Sequence, residues 1–301
     1  MSDLSVLYDA PGPRARVRNA LYTVAFAVVI LGALVWVGVI LDSKNQLRWE
    51  MWKPFFTESG MWTTYLLPGL ENTLKAAGLA MLIALPLGAV LGLARLSDHW
   101  WISAPAGAIV EFFRAIPVLI LMLFAREAFT MWTDVDREIR PMYAVVTGLV
   151  LYNAAVLAEI VRAGVLSLPR GQTDAAKAIG MRKGQTMTFV LLPQAVTAML
   201  PAIVSQLVVI VKDTALGGAV LGFSDLMASV STVNSYYANL LAVITVVALI
   251  YIVLNFLLTS FASWLEGRIR RGKRSTGAVL ATNAGGGLGA DALGGPTDTK
   301  N

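Results

Sequence analysis

Charged and polar residues interrupt the long apolar runs of this 301-residue chain in three places. They are Glu111 with Arg114, Glu159 with Arg162, and Lys212 with Asp213 and Thr214. Residues three apart share one face of a helix, so each Glu–Arg pair can form an ion pair. Because charges are costly in an apolar environment, the pattern predicts structural ion pairs or binding of a charged solute.

Residue types that usually carry catalysis are scarce. The chain has no cysteine, which excludes disulfides and thiolate catalysis. Its single histidine, His99, precedes two tryptophans, and an interfacial position is favoured because a transition-metal site needs several converging ligands. Glu111 and Arg114 have no histidine or cysteine partner, so a membrane-embedded enzyme is disfavoured and no catalytic or metal residue is assigned.

The composition predicts an integral membrane protein. Hydrophobic residues make up 56% of the chain and charged residues only 14%, with a mean hydropathy of +0.67. These values lie outside the range of ordinary globular domains. The chain also lacks a GxxxxGK[ST] phosphate-binding loop, so no cofactor is assigned to it and any use of ATP must come from a partner.

Six apolar stretches are long enough to cross the hydrocarbon core as helices. They cover about residues 21–41, 74–94, 105–125, 142–166, 187–211 and 238–265, with kinks expected at Pro193 and Pro201. The first stretch could instead be a secretory signal peptide. It is too long for one, however, and no small-x-small cleavage pattern follows it. We therefore expect an all-α membrane protein with about six spans.

The distribution of lysine and arginine predicts the topology. They are more frequent in alternate segments between the spans, and positive residues near span ends are retained in the cytoplasm. This places both termini and residues 167–186 on the cytoplasmic side. The net charge of +5 then reflects topology, because the scattered charges form no continuous basic face for nucleic acid. Residues 1–20 become a cytoplasmic tail, aromatic-rich residues 42–70 an extracytoplasmic interfacial segment, and residues 266–301 a flexible tail, first basic and then glycine-rich.

Within the 167–186 segment, the residue pattern predicts a helix of about two turns. Thr173 is a candidate N-cap, Asp174 suits the first turn, and Gly180 is a natural stop. Ala175 and Ala176 would share a face with Ile179, and such small residues allow close approach to a groove in a soluble partner. On these grounds alone, a plain solvated interhelical loop is favoured over a partner-binding helix.

A family resemblance favours the partner-binding helix. The pattern Asp174, Ala175, Ala176, Gly180, Val190, Leu192 and Pro193 resembles the EAA loop of permease subunits in bacterial ATP-binding cassette importers. EFFRAIPVL at 111–119 and KDTAL at 212–216 are similar to the EFFRGTPLL and KDTSL motifs of the polar amino-acid branch. The VLYDAPGPR start looks like that of glutamate permeases in this branch.

The resemblance implies a MetI-like, type I importer core over residues 71–265, with 21–41 as an added N-terminal helix. It also implies a bacterial plasma-membrane location and partners: a cytoplasmic ATPase dimer, a second permease subunit and an extracytoplasmic solute-binding protein. The implied ATPase-coupling residues are Glu159, Arg162, Gly164, Asp174, Ala175, Ala176 and Gly180. The pathway or substrate candidates are Glu111, Arg114, Pro117, Lys212, Asp213 and Thr214.

Two departures from the family pattern bear on these roles. Asp174 replaces the usual glutamate, which keeps the charge and shortens its reach. Ala115 and Ile116 replace a Gly-Thr pair, which makes any backbone bend at that point doubtful.

Several alternatives stay open from the sequence. Arg114 could meet a substrate carboxylate or pair with another helix, and Lys212 with Asp213 could form a gate or a helix-end pair. Glu159 and Arg162 are expected to brace the short helix. A stand-alone channel or secondary transporter is the alternative function, although inverted repeats and further intramembrane carboxylates are not evident. The amino acid carried and the identity of the second permease subunit are also open.

Overall fold

The computed structural model describes residues 12–284 of the chain, with side-chain surroundings described through Trp264 and at Gly267 and Arg268. These residues form α-helices and two π-helical turns, at Met61–Leu66 and Thr186–Leu191, with no strand among them. The helices are α1 (Pro13–Ser43), α2 (Trp49–Trp52), α3 (Pro54–Thr57), α4 (Leu67–Ala94), α5 (Trp100–Ala115), α6 (Val118–Trp132), α7 (Arg140–Leu166), α8 (Arg170–Ala178), α9 (Lys183–Gln185), α10 (Leu192–Val220), α11 (Ala228–Tyr237) and α12 (Leu240–Ala284).

Within residues 12–284, five helical stretches are long and apolar enough to cross a membrane, and a bent pair of helices raises the number to six if it counts as one span. The all-α architecture and the number of spans predicted from the sequence are confirmed. The stretches are Pro13–Ser43, Met61–Ala94, Arg140–Leu166, Lys183–Val220 and Leu240–Trp264, and the bent pair is α5 with α6.

Helix α7 forms the centre of the bundle and packs against α4, α5, α6 and α10. Its contact with α4 is close because glycines face it. A Cβ atom on Gly88 would lie 2.6 Å from the Leu157 Cβ atom, and one on Gly92 would lie 2.6 Å from the Ala158 carbonyl oxygen. Small residues at such positions let membrane helices approach until their backbones nearly touch.

The second span starts earlier than predicted. Residues 61–70, assigned from the sequence to an interfacial segment, belong to the continuous helix Met61–Ala94. A π-helical turn at Met61–Leu66 precedes Pro68, which has no N–H for the helical ladder and crowds the preceding turn. The wider turn accommodates the proline, so the helix continues where the sequence suggested a boundary.

The third predicted span is not a single helix. Residues 105–125 are divided between α5 and α6, which meet at an angle of 99°. Ile116 and Pro117 occupy extended conformations at the corner, with φ values of −91° and −55°. Side chains other than glycine adopt these angles readily, so the bend forms although Ala115 and Ile116 replace the Gly-Thr pair.

The fifth span extends at both ends beyond 187–211, and it runs from Lys183 to Val220. Its π-helical turn at Thr186–Leu191 accommodates Pro193 as the earlier one accommodates Pro68, and α10 continues through Pro201. Lys212 and Asp213 consequently lie within a helix and not at its outer end.

The chain after the fifth span also departs from the prediction. Helix α11 forms between the last two spans and was not predicted. The last membrane-spanning stretch, Leu240–Trp264, agrees with the predicted 238–265, but its helix continues to Ala284. Of the predicted flexible tail, residues 285–301 lie outside the described residues, as do residues 1–11 of the N-terminal tail.

Helix α1 contains the predicted first span and has no buried residue along its 31 positions. The core lies among the later helices, and one large cluster of buried residues includes Ala77 of α4, Met122 of α6, Leu149 of α7 and Ile210 of α10. Helix α1 contributes no residue to the clusters of buried residues in the described part of the chain.

Candidate functional site

The short helix of the 167–186 segment is α8, and it starts four residues earlier than predicted. Pro169, not Thr173, occupies the N-cap position, which leaves Thr173 inside the helix. At the other end Gly180 has a φ of +83°, and its N–H donates to the Lys177 carbonyl oxygen at 2.9 Å. The Met181 N–H donates to the Ala176 carbonyl oxygen at 3.1 Å. These bonds form a Schellman motif, which confirms Gly180 as the stop.

The two alanines of α8 lie on different sides of the helix. Ala176 is 4% exposed and lies on the side where α8 packs against the π-helical turn at Thr186–Leu191. Ala175 is exposed, as is Asp174, and Ile179 is 78% exposed. The prediction that Ala175, Ala176 and Ile179 share one partner-facing side is therefore wrong for Ala176, which stabilises the segment from within.

The Glu159 carboxylate of α7 is the centre of a network of ion pairs. Its Oε2 atom lies 2.5 Å from Nη1 of Arg95 and 3.6 Å from Nη1 of Arg114, and its Oε1 atom lies 3.3 Å from Nη1 of Arg162. Arg95 also reaches Glu111, with its Nη2 atom 3.4 Å from Oε1. The network joins the end of α4 to α5 and α7, and its five residues carry one net positive charge.

Two predictions about these charges can now be compared with the structure. The Glu159–Arg162 pair forms as its spacing predicts. Glu111 and Arg114, however, do not pair with each other among the ion pairs of the described residues. Glu111 instead pairs with Arg95 at the end of α4, and Arg114 pairs with Glu159 of α7. For Arg114 this is the structural alternative that the sequence left open.

Arg95 is the network residue that the sequence analysis missed. It is separated from Glu159 by 64 positions, and its side chain is only 12% exposed. In the sequence, Arg95 is simply a positive residue at the end of an apolar span, and such residues are used to predict membrane topology. Only the packing of α4 against α7 places it between two carboxylates.

Two other candidates have structural positions that explain their residue types. Gly164 of α7 faces α10, where an added Cβ atom would lie 2.2 Å from the Cγ atom of Met199. Pro117 occupies the N-cap position of α6, directly after the bend. Gly164 therefore serves helix packing within the chain, and Pro117 begins the helix that follows the corner.

A second polar contact links the α8–α9 region to the loop between α4 and α5. The Lys183 ammonium forms an ion pair with Asp98 and donates a hydrogen bond to the Leu96 carbonyl oxygen at 3.1 Å. The hydrogen bond and charge of Lys183 lower the pKa of the Asp98 carboxyl. Both contacts form just after the end of α4, and the hydrogen bond reaches Leu96, the residue that follows Arg95.

The Lys212, Asp213 and Thr214 group lies in the middle of a helical stretch and its members have different surroundings. Lys212 is exposed, Asp213 is half-buried and Thr214 is fully buried. The Thr214 hydroxyl donates to the Val211 carbonyl oxygen at 2.8 Å. The side chains of Lys212 and Tyr251 line a mostly apolar cavity of about 620 Å³ between α10, α11 and α12.

Beside Thr214 lies a buried polar cluster that the sequence analysis did not find. Asp225, in the connection between α10 and α11, is fully buried, and its Oδ1 atom accepts the Ala228 N–H at 2.8 Å. Its Oδ2 atom has no hydrogen-bond partner in the described structure, nor has the buried Tyr251 hydroxyl. That hydroxyl lies near Asp225, Thr73 and Thr214.

Burial has an electrostatic consequence for Asp225, which lies outside the membrane-spanning stretches. It raises the pKa of the carboxyl from 3.8 to about 6, against hydrogen bonds from backbone N–H groups that favour the charged form. Gly218 makes the burial possible, because a Cβ atom there would lie 1.7 Å from the Asp225 Oδ1 atom. Neither residue belongs to a sequence motif that could have identified the cluster.

A bundle of apolar spans packed through glycines, with one bent helix pair and a short, largely exposed helix, defines an integral membrane protein. The family model for the binding-protein-dependent transport system inner membrane component matches residues 84–271. The chain belongs to this family and is a permease subunit of an ATP-binding cassette importer.

Curated relatives are transport permeases of amino acids. The chain is 47% identical over 234 residues to the glutamate transport system permease protein GluD of Corynebacterium glutamicum, covering 78% of this chain and 85% of that protein. It is 32% identical to the glutamate/aspartate import permease protein GltK of Escherichia coli O6:H1, covering 68% of this chain and 93% of the relative.

Solved structures show the same fold. An amino acid ABC transporter crystallised with histidines aligns with a TM-score of 0.63 and 28% identity, over 69% of this chain and 95% of that one. The MetNI methionine ABC transporter, in inward-facing conformations, aligns with a TM-score of 0.57 and 23% identity, over 71% of this chain and 99% of that one. The MetI-like fold predicted from the sequence is therefore confirmed.

Proposed function

We propose that this chain forms half of the pathway of an ATP-driven importer that carries an amino acid, with glutamate as the favoured solute. Support for an amino acid comes from curated relatives, among them GluD at 47% identity and GltK at 32%. Glutamate is named for both, together with aspartate for GltK. Relatives named for glutamine and arginine transport share about 30% identity, so the solute needs a direct test.

The observation that carries the coupling mechanism is the exposed side of α8. Ile179, at the C-terminal end of α8, is 78% exposed, and Asp174 and Ala175 are exposed beside it. An apolar side chain held at the end of a well-terminated helix suits a groove in a soluble protein. We assign this side to a cytoplasmic ATPase subunit, with Asp174 positioned to meet basic groups at the rim of that groove.

In this mechanism, closure of an ATPase dimer around ATP pushes on α8 and moves the helices on which it rests. Ala176 holds α8 against the π-helical turn that leads into α10, so the push enters the fifth span directly. The bend at Ile116 and Pro117 is the point at which α5 and α6 can change their relative angle. ATP chemistry itself belongs to the partner, and this chain supplies the moving path.

The remaining candidate residues receive roles that follow from their contacts. Glu159 and Arg162 brace α7 within the charged network, and Arg114 and Glu111 hold α5 to it. Gly164 fixes the spacing of α7 and α10. Thr214 is buried in α10 and Lys212 lines the neighbouring cavity, so Lys212, Asp213 and Thr214 are assigned to the path of the solute.

The proposed assembly contains two permease subunits, identical or paralogous, two ATPase subunits and an extracytoplasmic solute-binding protein in a bacterial plasma membrane. Both termini lie in the cytoplasm, which is the orientation favoured by the lysine and arginine distribution. Helix α1 is then a first span at the periphery, exposed along its whole length to lipid or to a neighbouring subunit.

Reconstituted vesicles provide the test. The permease, its genomic-neighbour ATPase and binding protein should take up radiolabelled glutamate only when ATP is present on the ATPase side. Unlabelled aspartate, glutamine, arginine and histidine then compete in proportion to their affinity. Uptake by the permease without an ATPase subunit would contradict the importer mechanism, and ATP-dependent uptake of labelled arginine or glutamine but not of labelled glutamate would contradict the proposed solute.

A further inference from the structure

Lys183 connects two parts of the molecule that otherwise make little contact. It lies at the start of α9, just after α8, and its ammonium group reaches across to the loop formed by residues 96–99. There it forms an ion pair with the Asp98 carboxylate and a hydrogen bond with the Leu96 carbonyl oxygen. One side chain thus joins the coupling segment to the connection between α4 and α5.

The space around this contact is open. A cavity of about 400 Å³ separates the loop from the start of the fifth span, and Leu93, His99 and Met187 contribute to its walls. Helices α8 and α9 pack mainly against the π-helical turn at Thr186–Leu191 and far less against α4 or α5. Leu93, Leu96 and Met187 pack against a buried cluster beside this cleft, and the polar contacts of Lys183 bridge its open part.

The Leu96 carbonyl is a favourable partner for a cation. It follows the C-terminal end of α4, where the helix dipole and unpaired carbonyl groups place partial negative charge. Lys183 therefore acts on the end of the second span through charge and hydrogen bonding together. Its side chain is 51% exposed, so the contact contributes little to folding stability and its importance lies in position.

The residue preceding Leu96 is Arg95, which holds Glu159 of α7 and Glu111 of α5. Arg95 is largely buried, and its backbone and that of Leu96 are joined by one peptide bond. A displacement of Lys183 is therefore passed through Leu96 to the charged network within two residues. The network in turn fixes the positions of α5 and α7 relative to α4.

We propose that Lys183 is a positioning residue that transmits movement of α8 to the Arg95–Glu159–Glu111 network, and so to the bent pair α5 and α6. The inference rests on the proposed function of α8 as the contact for an ATPase. Without the Lys183 contact, α8 moves together with α10 but no longer carries the end of α4 and the start of α5 with it. Hydrolysis then continues with less solute moved.

The first test measures coupling in vesicles that contain the full transporter. Lys183→Met keeps the aliphatic stem and removes the charge, and it should leave complex assembly intact while the number of solute molecules moved per ATP falls about tenfold. Lys183→Arg should restore most of the loss. Asp98→Asn should have a smaller effect because the bond to the Leu96 carbonyl remains.

Lys75→Met is a matched control. Lys75 is similarly exposed and ion-paired, but its partner Glu71 lies on the same helix, so it bridges no cleft. This variant should transport at the wild-type ratio. An unchanged ratio in Lys183→Met, or an equal loss in Lys75→Met, would overturn the proposal.

The second test does not depend on transport and separates the inference from the proposed function. The chain has no cysteine, so spin labels can be placed at Ala178→Cys on α8 and Ile102→Cys on α5 alone. In the purified permease the distance distribution between the labels should be narrow, and it should broaden when Lys183→Met is added. No broadening rejects the role of Lys183, whereas broadening without ATP-dependent uptake by wild type rejects the proposed function only.

Discussion

The Glu159 carboxylate of α7 lies 2.5 Å from the guanidinium group of Arg95, the residue at which α4 ends. This relationship defines the charged network, because Arg95 is the member least exposed to solvent and the one that contacts both carboxylates. Arg114 and Arg162 then complete the positive surroundings of Glu159. Arg95 thus fixes the end of α4 to α7 at the centre of the bundle, although the sequence shows it only as a charge at the end of a span.

Arg95→Met should destabilise the permease by about 1–3 kcal/mol, less than for a fully buried pair because Glu159 keeps two other arginines. Arg95→Lys should recover part of the loss, since a single ammonium does not bridge two carboxylates as a guanidinium does. Thermal unfolding in detergent measures both effects. In a double-mutant cycle, Arg95→Met with Glu159→Gln should cost less than the sum of the two single changes. Strict additivity would contradict a direct interaction between the two side chains.

The exposed side of α8 makes a prediction that separates its two alanines. Ala175→Arg and Ile179→Asp should abolish copurification of an ATPase subunit while leaving the unfolding temperature of the permease unchanged, because both side chains point away from the fold. Ala176→Arg should lower that temperature, because the site is buried against the chain itself. If Ile179→Asp binds the ATPase normally, α8 is not the contact.

Gly180 and Gly171 provide a matched pair for the end of α8. Both glycines have open space where an added Cβ atom would lie, but only Gly180 has a positive φ, at +83°. Gly180→Ala should therefore strain the Schellman motif by about 1 kcal/mol and weaken ATPase binding several-fold. Gly171→Ala should bind as well as wild type or slightly better, because alanine favours helix. Titration of the ATPase into labelled permease measures both affinities, and equal effects would contradict the explanation.

Sequence patterns predicted the elements that depend on local chemistry. The apolar runs gave the number of spans, and Gly180 gave the end of α8, because a left-handed residue at a helix end has a recognisable residue preference. The second and fifth spans start earlier than predicted, at Met61 and Lys183, and in both a π-helical turn comes shortly before a proline, Pro68 or Pro193. Arg95 and Asp225 could not be found because their partners are supplied by distant helices. Ala176 was assigned to the wrong side for the same reason: its burial depends on what packs against α8.

Glycine packing between α4 and α7 gives a prediction with a control on the same helix. Gly88→Ala should destabilise the protein by about 1–3 kcal/mol, because the added Cβ atom would lie 2.8 Å from the Ala154 carbonyl oxygen, which belongs to a rigid helix. Gly78→Ala should be neutral or mildly stabilising, since nothing lies within 4 Å of a Cβ atom there. Thermal unfolding of both variants in one detergent makes the comparison, and equal changes would show that α4 and α7 are not closely packed.

Asp225 makes the stability of the fold depend on pH in a defined window. Its pKa is raised from 3.8 to about 6, so between about pH 4 and pH 6 the folded protein retains a proton that the unfolded chain releases. The free energy of unfolding consequently falls as the pH rises through this window and, for this group, stays constant above it. The ionised carboxylate then costs about 3 kcal/mol relative to one that is fully solvated.

Asp225→Asn removes the charge and keeps an oxygen that can accept the Ala228 N–H. The variant should be more stable than wild type at pH 8, and its advantage should shrink as the pH is lowered from 6 to 4. Unfolding temperatures in detergent at pH 4.5, 6 and 8 measure the difference, with Asp134→Asn, an exposed carboxyl in the 133–139 connection, as the control for loss of one carboxyl. If the stability advantage of Asp225→Asn is the same at all three pH values, Asp225 is ionised throughout this range. Its pKa is then not raised by burial, and the explanation is wrong.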